Sequence, residues 1–207
     1  MNSTKLNFIN RSNDTSNSRV VIFQKPTTTT FDELTIAWKV IKNCGQGDYH
    51  PFLYEYGMQV TAGDSWGNFT QPLAANPGDR FKMIKDNTGD VMRKADESAS
   101  TPSSVEVLNA LPKGSISANI YRSGQILAQK KVVAPGQKAV FDFKPSIFIG
   151  VASEIEQGQI IDSAVLSNIN KEIYLTGLIS ADIVMTGGGR GESATPFQFT
   201  LENKVLA

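Results

Sequence analysis

The sequence offers few side chains for catalysis, because its 207 residues include one histidine, His50, and one cysteine, Cys44. A single histidine excludes a metal site built from several imidazoles. A Ser-His-Asp triad would have to use His50, which precedes Pro51 in a turn, where an exposed or locally hydrogen-bonded imidazole is the usual outcome. Paired carboxylates need only meet in space, and no spacing indicates such a pair here. We therefore expect a protein that is not an enzyme and that binds no cofactor or metal.

Two loops each match part of a known ligand-binding motif, one for phosphate and one for calcium. Residues 187–191 are rich in glycine, but the lysine, the hydroxyl residue and the helix start of a phosphate cradle do not follow. We expect a surface loop there, in which Arg190 could touch an anionic partner. Residues 86–90, DNTGD, present oxygen atoms as a calcium loop does, but no glutamate follows at the required distance. A hairpin turn is the simpler interpretation of this second loop.

Aromatic residues between positions 49 and 69 give the strongest indication of a binding function. Phe52, Tyr54 and Tyr56 share one face of a predicted strand. They would either pack in a core or form a stripe that stacks on sugar rings or enters a lipid headgroup layer. Trp66 lies in a loop with glycine on both sides, residues 64–68, and is predicted to be exposed because such loops lie at the surface. The candidate recognition residues are Tyr49, Tyr54, Tyr56, Trp66, Phe69 and Arg190.

Composition limits the partners that the chain could bind. Lysine and arginine together number 20, as do aspartate and glutamate, so no net field attracts nucleic acid. No apolar run approaches the roughly 18 residues of a transmembrane helix, and the first residues do not form a signal peptide. We expect a protein of the cytoplasm, or one exported without a conventional signal peptide, with no nucleic acid partner and no transmembrane segment.

Alternation of apolar and polar residues predicts an all-β fold. The clearest case is residues 115–151, where Ile116, Ala118 and Ile120 alternate with polar residues and turns follow at Ser123-Gly124 and Pro135-Gly136. This stretch is predicted to be a β-meander.

The same pattern along the chain predicts an antiparallel β-sandwich of about a dozen strands in two sheets. Residues 196–201 alternate cleanly and are predicted to pair with the first strand. We expect a single domain over residues 1–207. The polar stretch 95–104 is the one place where a boundary between subdomains would fall.

Two stretches fit both a helix and a strand. In residues 31–44, Phe31, Leu34 and Trp38 have helical spacing after a potential N-cap at Thr30. Alternation and β-branched residues favour a strand over residues 34–41, which is the prediction adopted here; Trp38 belongs to the core in either case. Residues 159–167 are predicted to form a strand, with a helical turn within residues 163–173 as the alternative.

Several segments resemble those of a family of small microbial proteins of unknown function. They are residues 37–41, 64–68, 133–145 and 180–189, and the resemblance covers most of the chain. Some family members are labelled aromatic-ring-opening dioxygenases, whose iron site needs two histidines and a carboxylate. One histidine cannot supply that site, so the resemblance implies no mechanism. A similarity of style links the chain to aegerolysin-type proteins, which are all-β, aromatic-rich and lipid-binding.

These observations predict a non-catalytic binding protein that docks on a lipid or glycan surface, with a role in a toxin-like assembly as an extension. The alternative is a self-assembling structural subunit, a homo-oligomer that polymerises through exposed sheet edges. The terminal strands, residues 5–9 and 196–201, would then exchange between chains. Binding to liposomes or glycans would separate the two hypotheses.

Overall fold

The computed structural model describes residues 3–27, 33–169 and 171–207. These residues form seventeen strands, one short α-helix and one 3-10 turn (Gly191–Ser193). The strands are β1 (Ser3–Asn10), β2 (Arg19–Phe23), β3 (Glu33–Thr35), β4 (Lys39–Ile41), β5 (Tyr49–Glu55), β6 (Met58–Gly63), β7 (Leu73–Ala75), β8 (Arg80–Asp86), β9 (Gly89–Lys94), β10 (Ser104–Asn109), β11 (Ile116–Arg122), β12 (Gln125–Val133), β13 (Lys138–Asp142), β14 (Ser146–Ala152), β15 (Lys171–Tyr174), β16 (Leu178–Gly188) and β17 (Thr195–Leu206), and the helix is α1 (Ser163–Asn168).

The strands form four sheets, two in each of two compact units. The first unit contains the sheets β17-β16-β1-β5 and β15-β14-β2-β4. The second contains β3-β12-β11-β6-β7 and β13-β10-β8-β9. Most neighbouring strands are antiparallel, and the pairs β1–β16 and β8–β10 are parallel. The predicted all-β sandwich class is confirmed, with seventeen strands in four sheets where about a dozen strands in two sheets were expected.

The two units are interleaved along the chain. Met1–Gln24, Ala37–Tyr56 and Pro145–Ala207 make the first unit, and Lys25–Ile36 and Gly57–Lys144 make the second. Residues 95–104 lie inside the second unit, so the units do not divide where a boundary was expected. The single domain over residues 1–207 stays a prediction.

The core of the first unit is filled from both of its sheets. β1 alternates as expected for a strand with one covered face: Leu6 and Phe8 are buried and Lys5 is exposed. β2 and β14 contribute Ile22 and Ile149 from the other sheet, and both are buried. None of the described helices is long and apolar enough to cross a membrane.

The core of the second unit confirms the predicted alternation in β11. Ile116, Ala118 and Ile120 are buried, and β11 and β12 pair across Ser123-Gly124, where both residues have positive φ. The predicted meander ends there. β13 pairs with β10 in the other sheet, and β14 belongs to the first unit. The turn at Pro135-Gly136 leads the chain from one sheet of the second unit to the other. The meander was predicted from alternation, which indicates that one face of a strand is buried but not which strand is its partner.

The terminal strands differ from their predicted pairing. β17 pairs with β16, and β16 separates it from β1 within the same sheet. β1 lies between β16 and β5. Residues 5–9 therefore present no free edge in the folded chain, because both sides of β1 are already paired, and the exchange of terminal strands between chains stays a prediction.

Of the two stretches that fit both a helix and a strand, the first forms strands, as predicted, and the second forms a helix. Within the described part of residues 31–44, the chain forms two short strands, β3 and β4, rather than a helix, and they belong to different sheets; Thr30 and Phe31 lie outside the described residues. The strand predicted over residues 159–167 is wrong. The helix α1 starts after Asp162, whose carboxylate accepts a hydrogen bond from the Val165 backbone N–H at 2.9 Å, as an N-cap does.

Candidate functional site

A cleft of about 260 Å³ opens at one end of the second unit, and we call it the Trp66 cleft. Three connections line it: the loop between β6 and β7, the hairpin between β8 and β9, and the loop between β10 and β11. The lining residues are Asp64, Ser65, Trp66, Lys85, Asp90, Leu111, Pro112, Lys113, Gly114 and Ser115.

The topology explains why three separate segments meet there. β6 and β11 are antiparallel neighbours with Gly63 opposite Ser117, so the loop that follows β6 lies beside the loop that precedes β11. β8 and β10 are parallel, so both strands end on the same side of the other sheet. Lys85 near the end of β8 and Asp90 at the start of β9 are cross-strand partners at this end.

The loop that carries Trp66 is fixed by Asp64. Oδ1 of Asp64 accepts hydrogen bonds from the backbone N–H groups of Trp66 at 2.8 Å and Asn68 at 2.9 Å, and Oδ2 accepts one from the Asn68 side chain at 2.9 Å. Gly67 has a φ of +88°, which closes the turn. The side-chain hydrogen bond from Asn68, with the two backbone bonds, holds the pKa of Asp64 below its ordinary value. Trp66 is 84% exposed, although its backbone is held in place.

The loop between β10 and β11 is fixed by Asn109, which is fully buried. Its side-chain amide donates hydrogen bonds to the carbonyl groups of Gly114 at 2.9 Å and Val133 at 2.8 Å, and its side-chain oxygen accepts one from the Leu111 N–H at 3.1 Å. Asn109 therefore sets the path of the chain on both sides of Lys113 and positions that lysine at the cleft.

Several polar groups at the cleft are available to a ligand. The side chains of Lys85, Lys113 and Asp90 make no hydrogen bond or ion pair with another residue in the described part of the chain, and the indole N–H of Trp66 makes none either. An exposed aromatic face beside unpaired donors and an acceptor can bind a ligand that has an apolar face and a polar edge.

The predicted recognition residues divide between the two units. Trp66 and Phe69 are exposed in the second unit, and Tyr49 and Arg190 are exposed in the first. Trp66 lines the cleft. The Phe69 ring rests on Gly63, where an added Cβ would lie 2.8 Å from it, so this ring covers the sheet beside the loop.

Tyr54 was a candidate recognition residue with core packing as the alternative, and it lies in the core, because its side chain is 1% exposed. Its hydroxyl group is 3.0 Å from the side-chain amide of Gln24, and its ring packs edge-on against Trp38. Tyr56 is half-buried, and its hydroxyl group donates to the Leu175 carbonyl at 3.1 Å. Both hydroxyl groups therefore form hydrogen bonds within the first unit.

A second cleft, of about 250 Å³, lies in the first unit and contains both Cys44 and His50. Burial raises the pKa of the Cys44 thiol, and the charge of Asp48 raises it further. Burial lowers the pKa of His50, and Lys39 adds to this effect. The thiolate is the nucleophilic form of cysteine, so the environment of Cys44 opposes nucleophilic catalysis. The sequence analysis did not predict that both residues line one cleft.

Metal ligands are not grouped in the part of the chain that the structure describes: no three residues among its histidine, cysteine, aspartate and glutamate side chains are placed to hold an ion. The two oxygen atoms of Asp86 are used in the hairpin, where Oδ1 accepts from the Thr88 N–H at 2.7 Å and Oδ2 pairs with Arg93 at 2.7 Å. Residues 86–90 thus form the hairpin turn that was the simpler interpretation.

A family model described as RhiA matches residues 2–188. The chain belongs to the RhiA family. The RhiA match includes every residue that lines the Trp66 cleft, and it ends before β17. The expected resemblance to a protein family over most of the chain is thereby confirmed, whereas the match says nothing of a dioxygenase label or of a similarity to aegerolysin-type proteins. No curated protein and no solved structure matches the chain.

Sequence reasoning missed the residues that complete the cleft around Trp66. Lys85 and Lys113 are ordinary surface lysines in the sequence, and Asn109 is an ordinary strand end. The one local signal was the Pro112-Lys113-Gly114 turn, which indicates a surface loop. Its position beside Trp66 depends on the pairing of β6 with β11, which no short stretch of sequence specifies.

Proposed function

We propose that this protein is a non-catalytic binding protein that docks on a glycan surface through the Trp66 cleft. The observation that carries the proposal is the 84% exposure of Trp66 on a loop fixed by Asp64, at the wall of a cleft with unpaired polar side chains. A loop whose backbone is already held loses little backbone conformational entropy on binding, so the contact area of its aromatic ring contributes more fully to affinity.

The shape and chemistry of the cleft favour a sugar over a lipid layer. A sugar ring presents a C–H face that can cover the indole and a rim of hydroxyl groups that can bond to Asp90 and the two lysines. The volume of about 260 Å³ lies just below the roughly 300 to 1,000 Å³ of pockets for drug-sized ligands, which suits the end of a glycan chain. Docking in a lipid layer would favour apolar side chains that protrude together, whereas Trp66 shares its cleft with charged groups.

Binding to a glycan array, followed by titration of the best glycan, tests this proposal. Trp66→Ala should weaken the binding about 30-fold or more, because truncation of a hot-spot aromatic residue loses at least about 2 kcal/mol. Tyr49→Ala is the matched control, since Tyr49 is also an exposed aromatic residue, at 70%, and does not line the Trp66 cleft. It should leave the affinity unchanged.

The same proteins should be tested with vesicles of phosphatidylcholine and phosphatidylserine. Binding to vesicles without binding to any glycan would overturn the glycan proposal in favour of a lipid surface. Equal losses from Trp66→Ala and Tyr49→Ala would also contradict it, because the binding would then not depend on the cleft.

Self-assembly is the second candidate, and the observation that favours it is the free edge of β17. This strand has twelve residues, and within the described sheets β16 is its one neighbour. Pro196 and the positive φ of Asn203 interrupt the strand, which leaves residues 197–202 as the regular part of the edge.

Light scattering at increasing concentration tests this second candidate. If the β17 edge pairs with a second copy, the measured mass should rise from 22.5 kDa for one chain towards twice that value. Thr200→Lys should then keep the protein monomeric, because lysine on an edge strand opposes pairing. A mass that stays at one chain over the whole range would contradict self-assembly and leave the glycan proposal unaffected.

A further inference from the structure

We propose that the Trp66 cleft selects a sugar that carries a carboxylate group. The ammonium groups of Lys85 and Lys113 would hold the carboxylate while the sugar ring lies on the indole of Trp66. The inference rests on the proposed function, because it takes this cleft as the glycan site, and it adds the chemical class of the ligand.

Positively and negatively charged side chains are equal in number at the cleft, but they differ in how many of them are free to bind a ligand. Two lysines and two aspartates line it. Asp64 already accepts three hydrogen bonds from its own loop, which occupy most of its acceptor capacity. Asp90 is the one cleft residue whose carboxylate group accepts no hydrogen bond within the described part of the chain, whereas both ammonium groups are without a partner there. The unsatisfied groups are therefore mainly cationic donors, which a ligand carboxylate would complement.

Lys85 is available although an acidic residue stands beside it. Lys85 and Asp90 are cross-strand partners in β8 and β9, where Cβ atoms are about 5 Å apart, yet no ion pair joins them. The flexible stem of Lys85 can therefore extend to a ligand. Lys113 faces the same cleft from a loop that Asn109 fixes by its hydrogen bonds to Leu111 and Gly114.

The preference for an anion would be local. The chain carries 20 basic and 20 acidic residues, so its net charge provides no long-range attraction for acidic glycans. A preference for a carboxylated sugar would have to come from particular lysines, and replacement of those lysines should remove it.

Calorimetry with two matched ligands tests the inference: one oligosaccharide that ends in glucose and one that ends in glucuronic acid. The acidic ligand should bind roughly tenfold more tightly, as expected for two charge pairs at an exposed site. Lys85→Gln and Lys113→Gln should each remove part of that difference, because each should lower the affinity for the acidic ligand more than the affinity for the neutral one. Lys113→Arg should keep most of it, because the charge is retained.

Lys131→Gln is the matched control, since Lys131 is an exposed lysine of the same unit outside the cleft. It should change neither affinity. Equal binding of the two ligands, lost in Trp66→Ala, would overturn the carboxylate preference and leave the glycan function standing. A preference for the acidic ligand that survives both lysine replacements would overturn the role of Lys85 and Lys113. Failure of both ligands, together with an empty glycan array, would overturn the proposed function itself.

Discussion

Replacement of Trp38 by alanine should lower the free energy of unfolding by about 3 to 5 kcal/mol, the range for large aromatic residues removed from a core. Trp38 is 1% exposed. Its ring packs edge-on against Phe52, with ring centroids 6.3 Å apart, and against Tyr54, with centroids 5.9 Å apart. Truncation would leave a cavity beside two aromatic rings that lose these contacts. Urea denaturation, followed by circular dichroism, measures the loss.

Trp66→Ala is the matched control, because it makes the same chemical change at a tryptophan that is 84% exposed. Surface replacements usually change stability by no more than about 0.5 kcal/mol, so the denaturation curve should hardly move. Equal losses at Trp38 and Trp66 would mean that the exposed position of Trp66 is wrong. The main support of the proposed glycan site would then be lost.

The sequence was sufficient to predict features that depend on neighbouring residues. The buried face of β11 and the turn at Ser123-Gly124 are examples, because alternation and positive φ are local properties. The exposure of Trp66 belongs to the same class. A loop between two strands, with glycine at both ends, offers few ways to cover a large ring.

The pairing of strands could not be predicted in the same way. The β1–β16 pair brings together residues such as Phe8 and Ile183, which are far apart in the sequence. The division into two interleaved units depends on contacts of this kind. An alternating strand carries the information that one face is buried, but several partner strands satisfy that requirement equally well.

The candidate site shows the same limit. The alternation of side chains along β5 places Tyr49 and Tyr54 on opposite faces of the strand. Alternation alone does not indicate which of the two faces is covered, and in the structure the face of Tyr54 is the buried one. Lys85 and Lys113 line the same cleft as Trp66 because β6, β8 and β10 end there and β11 begins there. The exposure of Trp66 could be predicted from the sequence, whereas the polar side chains that lie beside it could be identified only from the tertiary structure.

Replacement of Glu106 by glutamine should lower the free energy of unfolding by about 3 kcal/mol, which is the order expected when one partner is removed from a buried ion pair. The Glu106 side chain is fully buried in the second unit and accepts hydrogen bonds from Lys138 at 2.6 Å and Arg80 at 2.8 Å. The backbone N–H of Ser100 donates another at 3.0 Å. Glutamine preserves the volume but leaves two cations without their counter-charge.

Acid should weaken the same interaction in the unmodified protein. Burial alone would raise the pKa of Glu106, but the bonds from Lys138, Ser100 and Arg80 outweigh it and lower the pKa from its ordinary 4.5 to about 2. A carboxyl group with a lowered pKa stabilises the fold fully above its unfolded value, and this contribution declines as the pH falls towards the folded value. The contribution of Glu106 should therefore be lost between about pH 4.5 and pH 2.

Urea denaturation at several pH values measures both effects in one series. The difference in unfolding free energy between the unmodified protein and Glu106→Gln should be largest near pH 7 and should shrink below pH 4.5. Glu97→Gln is the matched control in the same unit, because Glu97 pairs with Lys82 at the surface with its side chain 59% exposed. Exposed ion pairs contribute little, so this variant should follow the unmodified protein closely. A difference for Glu106→Gln that stays constant down to pH 2 would contradict the ionised, ion-paired state of Glu106, since the loss would then come from packing rather than from charge.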